Sequence, residues 1–131
     1  MINFFSNHKI IFYSINCCLY ILYLFPGSLI GCYLYKDCKI QPQITQDFII
    51  SSNHFYAFIL LSIVGFITFT EPKKIKLLII YLIFISIILE VFHIVIPQRS
   101  FQWSDLFGNL IGVIIVILIK NLISKYGVFK K

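Results

Sequence analysis

Four long apolar runs, separated by short polar segments, form the main pattern of the sequence. They extend over about residues 10–30, 54–70, 75–96 and 106–124. A helix needs about 20 apolar residues to cross the hydrocarbon core of a bilayer. The second run is short for this purpose but sufficient with its flanking residues. The pattern therefore predicts one all-α integral membrane domain over residues 1–131, with four transmembrane helices.

The composition supports this class of protein. Hydrophobic residues make up 60% of the 131 residues and charged residues only 12%, whereas soluble domains carry roughly 25% charged residues. The net charge of +6 is compatible with nucleic-acid binding. However, most cations flank the apolar runs, as they do in cytoplasmic loops of membrane proteins. We therefore expect membrane lipids as partners and no nucleic acid, and we leave oligomerisation open.

The distribution of the cations predicts how the four helices are oriented. Alternating spans put eight cations on one side of the membrane and three on the other, and the positive-inside rule assigns the larger set to the cytoplasm. Both termini are then cytoplasmic, in a multi-pass protein of the bacterial cytoplasmic membrane. The larger set is Lys9, Lys73, Lys74, Lys76, Lys120, Lys125, Lys130 and Lys131; the smaller set is Lys36, Lys39 and Arg99.

The first apolar run also resembles a targeting segment. Leu29-Ile30-Gly31-Cys32 is similar to the lipobox of bacterial lipoproteins, which would make Cys32 a lipidated residue. The run is long and rich in aromatic residues for a cleaved signal, so we expect a retained helix. Pro26 and Gly27 are expected to kink or end it.

The cysteines leave one question open. Cys32 and Cys38 lie in a polar loop predicted over residues 32–53, and they form either a disulfide or two free thiols, because spacing alone does not fix pairing. Cys17 and Cys18 lie inside the first helix and are interpreted as packing residues. The chain has no cysteine or histidine array with metal-ligand spacing, so neither a metal nor a cofactor is expected.

Polar residues are concentrated between residues 90 and 112. The four-helix topology places Glu90 and His93 near the outer end of the third helix and Asp105 and Asn109 at the outer start of the fourth. His54 opens the second helix on the same side. We therefore expect these side chains to converge in an outward-facing polar cluster.

Ionisable side chains at membrane depth are functional candidates by default. His54, Glu90 and Asp105 are the candidates for an acid or base, and Arg99 for a bidentate contact with phosphate. Structural roles are the alternatives: an ion pair of Arg99 with Glu90 or Asp105, and a helix cap formed by Asp105 or Ser104.

Small residues indicate where helices pack closely. Gly108 and Gly112 form a GxxxG pair, which allows close approach of membrane helices. Together with Asp105 and Asn109 they predict that the fourth helix presents a polar face of small residues to the third. Gly65 is a similar packing candidate in the second helix.

These residues together resemble the VanZ-like family of small bacterial membrane proteins. The resemblance covers about residues 54–112, and Phe25-Pro26 fits the end of the family's first helix. Two departures are Asn53, where the family often has lysine, and His93, where it often has glutamine. The matching residues are Ser51–Phe58 with His54, then Glu90, Arg99, Ser104, Asp105 and Asn109-Leu110-Ile111-Gly112.

The resemblance implies a role in the bacterial envelope and a contribution to resistance against teicoplanin-type glycopeptides. Our leading hypothesis is non-catalytic binding of a lipid, or of the head group of a lipid-linked cell-wall precursor, at the outer leaflet. An enzyme that performs acid–base chemistry on a phosphate-bearing lipid, and a structural membrane subunit, are the alternatives. The ligand-binding candidates are His54, Glu90, Arg99, Ser104, Asp105 and Asn109.

Overall fold

The protein is all-helical over the part that the structure describes. The computed structural model describes the backbone of residues 2–127 and the side chains from residue 8 onward. This part holds five helices and no strands. The predicted cytoplasmic residues Lys130 and Lys131 lie outside it. The helices are α1 (Ile2–Leu24), α2 (Leu29–Tyr35), α3 (Ser52–Thr68), α4 (Pro72–Phe92) and α5 (Trp103–Tyr126).

Two of these helices, α4 and α5, are long and apolar enough to cross a membrane. A third candidate span exists if α1 and α2 are taken together as one bent segment, whereas α3 is a shorter apolar helix. Large apolar side chains on the outside of the bundle are exposed, for example Phe84 at 61% and Leu118 at 55%. Such surfaces are typical of helices that face lipid, and they agree with an all-α membrane protein.

The first predicted helix is interrupted. α1 ends at Leu24 and α2 leaves it at an angle of 80°, so residues 10–30 do not form one straight helix. Gly27 adopts a φ of +80°, and a Cβ there would lie 2.7 Å from the Cys38 carbonyl oxygen. Pro26 cannot donate a backbone hydrogen bond, and Ser28 caps α2 by accepting from Gly31 N at 2.9 Å. The proline and the glycine therefore end the helix rather than only kinking it.

A non-helical segment, residues 36–51, covers one end of the bundle. Cys32 and Cys38 are joined in a disulfide, which resolves the alternative left open by their spacing. Asp47 Oδ1 accepts from Ser52 N at 2.8 Å, and Asn53 Nδ2 donates to the Pro42 carbonyl at 2.6 Å. These bonds hold the segment against the start of α3. The loop predicted to begin at residue 32 begins only at residue 36, because α2 extends to residue 35.

The glycine face of α5 was predicted to pack on the third transmembrane helix, which corresponds to α4. It packs on α3 instead. A Cβ at Gly108 would lie 2.8 Å from the Ser51 carbonyl oxygen, and a Cβ at Gly112 2.7 Å from that of Phe55. The absence of these side chains lets the two backbones meet. Asn109, one residue along the helix, faces α4 instead and donates to the Ser86 carbonyl. Gly65 lies against Leu78 and Phe12 side chains, in agreement with its predicted packing role.

The helix ends differ from the predicted ones by a few residues. Pro72 begins α4 as its first helical residue, a position in which proline loses no hydrogen bond. The same helix ends at Phe92 instead of Ile96, because the following amides bond in tighter turns, as in His93 N to Glu90 O at 3.1 Å. The core between the helices is formed by apolar side chains, among them Phe58, Leu61, Leu82, Leu89 and Val113.

Candidate functional site

Polar side chains from all four long helices meet at one end of the bundle. This is the end where α1 and α4 finish and where α3 and α5 begin. We call the group the polar cluster. It consists of Tyr23 from α1, His54 from α3, Glu90 and His93 from α4, and Asp105 and Asn109 from α5.

Asn109 is fully buried and links the other three long helices to α5. Its Oδ1 accepts from the Tyr23 hydroxyl at 2.7 Å and lies 3.1 Å from His54 Nδ1. Its Nδ2 donates to the Ser86 carbonyl at 3.0 Å. The Ser86 carbonyl can only accept, so the amide nitrogen Nδ2 must face it and the oxygen Oδ1 must face Tyr23 and His54. Oδ1 therefore accepts from both of these side chains. Asn109 therefore holds His54 with its Nδ1 protonated.

His54 lies between two carboxylates. Its Nε2 is 3.5 Å from Asp105 Oδ2, and its Nδ1 is 3.9 Å from Glu90 Oε2. Since Nδ1 donates to Asn109, the lone pair of a neutral imidazole is on Nε2, facing Asp105. The ring is mostly buried, with 11% of its side chain exposed. This arrangement suits an acid–base group, a hydrogen-bond acceptor or a metal ligand.

Glu90 is completely buried. Its Oε1 accepts from Gln102 N at 2.9 Å, and this bond fixes the residue that precedes α5. Its Oε2 makes no hydrogen bond, although His93 Nδ1 lies 3.1 Å away. His93 is also buried, and its Nε2 donates to the Tyr23 carbonyl at 3.0 Å. One buried carboxylate oxygen therefore remains without a directed donor.

Arg99 does not pair with Glu90 or Asp105; no ion pair of Arg99 occurs in the described part of the chain. Its guanidinium donates instead to main-chain carbonyls at the end of α1, from Nη2 to Leu22 at 2.8 Å and from Nε to Phe25 at 3.3 Å. Burial lowers the pKa of Arg99, and the nearby Glu90 carboxylate opposes this shift. Arginine remains charged even so, and the side chain ties the interruption after α1 to the 93–102 turn.

Neither Asp105 nor Ser104 caps α5. The N-cap residue is Gln102, and no side chain forms a cap hydrogen bond there. Asp105 lies in the first turn, where a carboxylate interacts favourably with the helix dipole, and its side chain faces His54. The Ser104 hydroxyl is 3.4 Å from Asp105 Oδ1, and its carbonyl accepts from Ser51 N at 3.1 Å. Ser104 thus fixes Asp105 and the start of α3.

A polar cavity of about 300 Å³ opens beside the polar cluster, under the 36–51 segment. His54, His93 and Asp105 form its floor, while Lys39, Asp47, Arg99 and glutamine side chains line its walls. The walls therefore contain both cations and carboxylates, as well as neutral amides. Such a lining offers partners to a ligand with an anionic group and hydroxyls.

An apolar groove of about 410 Å³ adjoins the polar cavity and shares lining residues with it. Leu22, Leu29 and Ile30 line one of its sides, and Ala57 and Leu60 of α3 line the other. The groove thus runs along the outside of the bundle, from the polar end toward the apolar part of α3. Residues shared by the two cavities are Ser28, Gln41, Gln43, Asn53, His54 and Arg99.

The sequence interpretation missed Tyr23. This side chain is buried, donates to Asn109, and packs its ring edge on His54 at 4.8 Å between centroids. The available signal was the spacing of Asn16, Tyr20 and Tyr23 by four and three residues, which puts these polar groups on one helix face. The other two also bond across helices, through the Tyr81 hydroxyl.

Comparisons with known proteins give no match: no family model, no curated protein and no solved structure is similar to this chain. The resemblance to the VanZ-like family accordingly stays a prediction from the quoted residues.

Proposed function

We propose that the protein binds one amphiphilic molecule, with its anionic head group in the polar cavity and its apolar chain in the groove. The observation that carries this proposal is that the two cavities adjoin and share lining residues, among them His54 and Arg99. A soluble polar ligand would have no use for the groove. A purely apolar ligand would leave the buried charges beside it without a partner, which is costly.

The lining indicates the chemistry of the head group. Arg99 uses two of its N–H groups for main-chain carbonyls and retains others, in a planar fork that suits phosphate oxygens. Lys39 adds a second cation. Asp47 also lines the cavity and is an acceptor for hydroxyl or amine groups. A phosphate that bears a glycerol or sugar unit fits this set of partners.

We propose further that the chain spans the bacterial cytoplasmic membrane four times, with both termini inside. The cation count supports this orientation, since eight of the eleven Lys and Arg residues fall on the predicted inner side. In this arrangement α2 and the 36–51 segment lie at the outer interface. The ligand is then a lipid, or a lipid-linked cell-wall precursor, of the outer leaflet.

The phenotype implied by the family resemblance is also a proposal. Binding an envelope lipid or precursor would connect this chain to glycopeptide action, and we expect its expression to lower susceptibility to teicoplanin. The support is the resemblance at His54, Glu90, Arg99, Asp105 and Asn109. Susceptibility of a sensitive Gram-positive host tests it, with Arg99→Gln at matched abundance as the inactive control.

An enzyme acting on the same lipid is the second candidate, and one observation favours it. His54 Nε2, which carries the lone pair of the neutral ring, lies 3.5 Å from Asp105 Oδ2. His54 also lines the polar cavity, where a general base could reach a bound substrate. Conversion of a radiolabelled lipid that is lost in His54→Gln while binding persists would support catalysis. The third hypothesis, a structural subunit, predicts that variants of the polar cluster lower protein abundance and leave any remaining activity per molecule unchanged.

Native mass spectrometry of the detergent-purified protein tests the binding proposal. The probes are phosphatidylglycerol and undecaprenyl phosphate, with phosphatidylcholine as the zwitterionic comparison. We expect the two anionic lipids to bind preferentially and Arg99→Gln to weaken them about tenfold, because hydrogen bonds to charged groups contribute about 1.5–3 kcal/mol. Lys73→Gln, at the opposite end of the bundle, is the matched control. Equal binding of all three lipids would contradict the proposal.

A further inference from the structure

A buried carboxylate, Glu90, and a partly buried one, Asp105, flank the His54 imidazole at the polar end. One suitable ligand atom from each of His54, Glu90 and Asp105 lies within 4.8 Å of the others. Arg99, the nearest guanidinium in the turn above, is engaged with carbonyls of α1 instead. The cluster therefore holds two negative groups in low-dielectric surroundings without a Lys or Arg in contact with them. A carboxylate in such surroundings is either protonated or balanced by a cation.

Glu90 gives the second, independent observation. Its side chain is 0% exposed, and Oε2 makes no hydrogen bond. His93 Nδ1 is close, at 3.1 Å, but His93 uses Nε2 to donate to the Tyr23 carbonyl. In the neutral ring Nδ1 therefore carries a lone pair, so that two electron-rich atoms face each other. A carboxylate oxygen in this position gains a positive partner only from a bound cation or from protonation of His93.

From this geometry we infer that His54, Glu90 and Asp105 bind one divalent transition-metal ion. His54 Nε2 has its lone pair directed to the Asp105 side, because Nδ1 donates to Asn109. That hydrogen bond is the kind of outer contact that orients a metal-binding histidine. Zinc ligands lie about 2.0–2.2 Å from the ion, so two of them are at most about 4.4 Å apart. The three atoms lie within 4.8 Å of one another in the structure, which is close to this limit.

The donor set selects among ions. Mg²⁺ and Ca²⁺ take oxygen ligands, whereas one imidazole with two carboxylates suits Zn²⁺ or a similar transition metal. Three protein ligands also leave a coordination position open, as in catalytic zinc sites. In this chain that position is directed to the polar cavity, since His54 and Asp105 line it. Metal binding itself does not depend on the proposed lipid and is tested without it.

Equilibrium dialysis against Zn²⁺, with metal analysis of chelator-stripped protein in detergent, tests the inference. The background carries Cys17→Ser and Cys18→Ser, because these two free thiols would bind zinc by themselves. We expect one Zn²⁺ per chain, and a loss of affinity of about tenfold or more in His54→Gln, Glu90→Gln and Asp105→Asn. Glu71→Gln is the matched control, an exposed carboxylate at the opposite end of the bundle, and it should bind as the background does.

Two further readouts keep the result independent of folding defects. Zn²⁺ should raise the melting temperature of the background protein and of Glu71→Gln, and leave that of Glu90→Gln unchanged. Co²⁺ in the background protein should give visible d–d absorption bands, and Mg²⁺ should not displace it. Binding of less than one Zn²⁺ per chain by the background protein would overturn the inference. Equal Zn²⁺ affinities of the background protein and the three cluster variants would also overturn it. Protonation of His54 or His93 would then supply the compensating charge.

Discussion

Asn109→Leu is expected to weaken the contact among all four long helices. The substitution keeps a side chain of similar volume but removes three hydrogen bonds, those with the Tyr23 hydroxyl, His54 Nδ1 and the Ser86 carbonyl. Side-chain hydrogen bonds between membrane helices contribute about 0.6 kcal/mol each on average. Three of them give about 2 kcal/mol, and the stranded Tyr23 hydroxyl is not rehydrated because it is buried.

Reversible unfolding from bicelles by SDS measures this loss, with fluorescence of the only tryptophan, Trp103, as the probe. Asn16→Leu is the matched control, because Asn16 accepts a single hydrogen bond, from Tyr81 at 2.7 Å. We expect it to cost about 0.6 kcal/mol. If Asn109→Leu costs no more than Asn16→Leu, Asn109 does not link the helices in the way described here.

The remaining predictions concern packing and covalent structure. Gly112→Ala should destabilise the fold by about 1–3 kcal/mol, since the added Cβ meets a backbone oxygen. Gly65→Ala should cost less, because the added Cβ meets only the ends of side chains. The same unfolding assay compares the two variants. Tyr23→Phe should cost about 0.6 kcal/mol, and the loss should vanish in the Asn109→Leu background. Alkylation without reductant should modify two of the four cysteines, with Cys32 and Cys38 protected; modification of all four would refute the disulfide.

Local rules could predict much of the fold. Apolar runs indicated the long helices, and Pro26 and Gly27 marked the end of the first one. Which helices pack against each other was not predictable in the same way. Gly108 and Gly112 lie on α3 because the backbones of Ser51 and Phe55 fit there, and a single-chain pattern of small residues does not specify which neighbour it fits.

Most members of the polar cluster were predictable, with the exception of Tyr23, but their hydrogen bonds were not. His54, Glu90, Asp105 and Asn109 stood out because polar groups are costly among apolar residues. The expected Arg99 ion pairs are absent from the described part of the chain, since the interruption after α1 exposes carbonyls that bind the guanidinium. Pro26 and Gly27 indicate that interruption, but the sequence does not indicate that the carbonyls of Leu22 and Phe25 lie within reach of Arg99.

The central claim is that one molecule occupies both the polar cavity and the apolar groove. Its most direct test is the phosphatidylglycerol affinity of Leu60→Trp, which fills the groove, measured beside Ile63→Trp on the same helix. Leu60 lines the groove and Ile63 does not, yet both are exposed, at 52% and 43%. We predict that Leu60→Trp weakens binding about tenfold, as Arg99→Gln does, and that Ile63→Trp leaves it unchanged. Equal affinities of Leu60→Trp and Ile63→Trp would show that the groove does not hold the lipid chain.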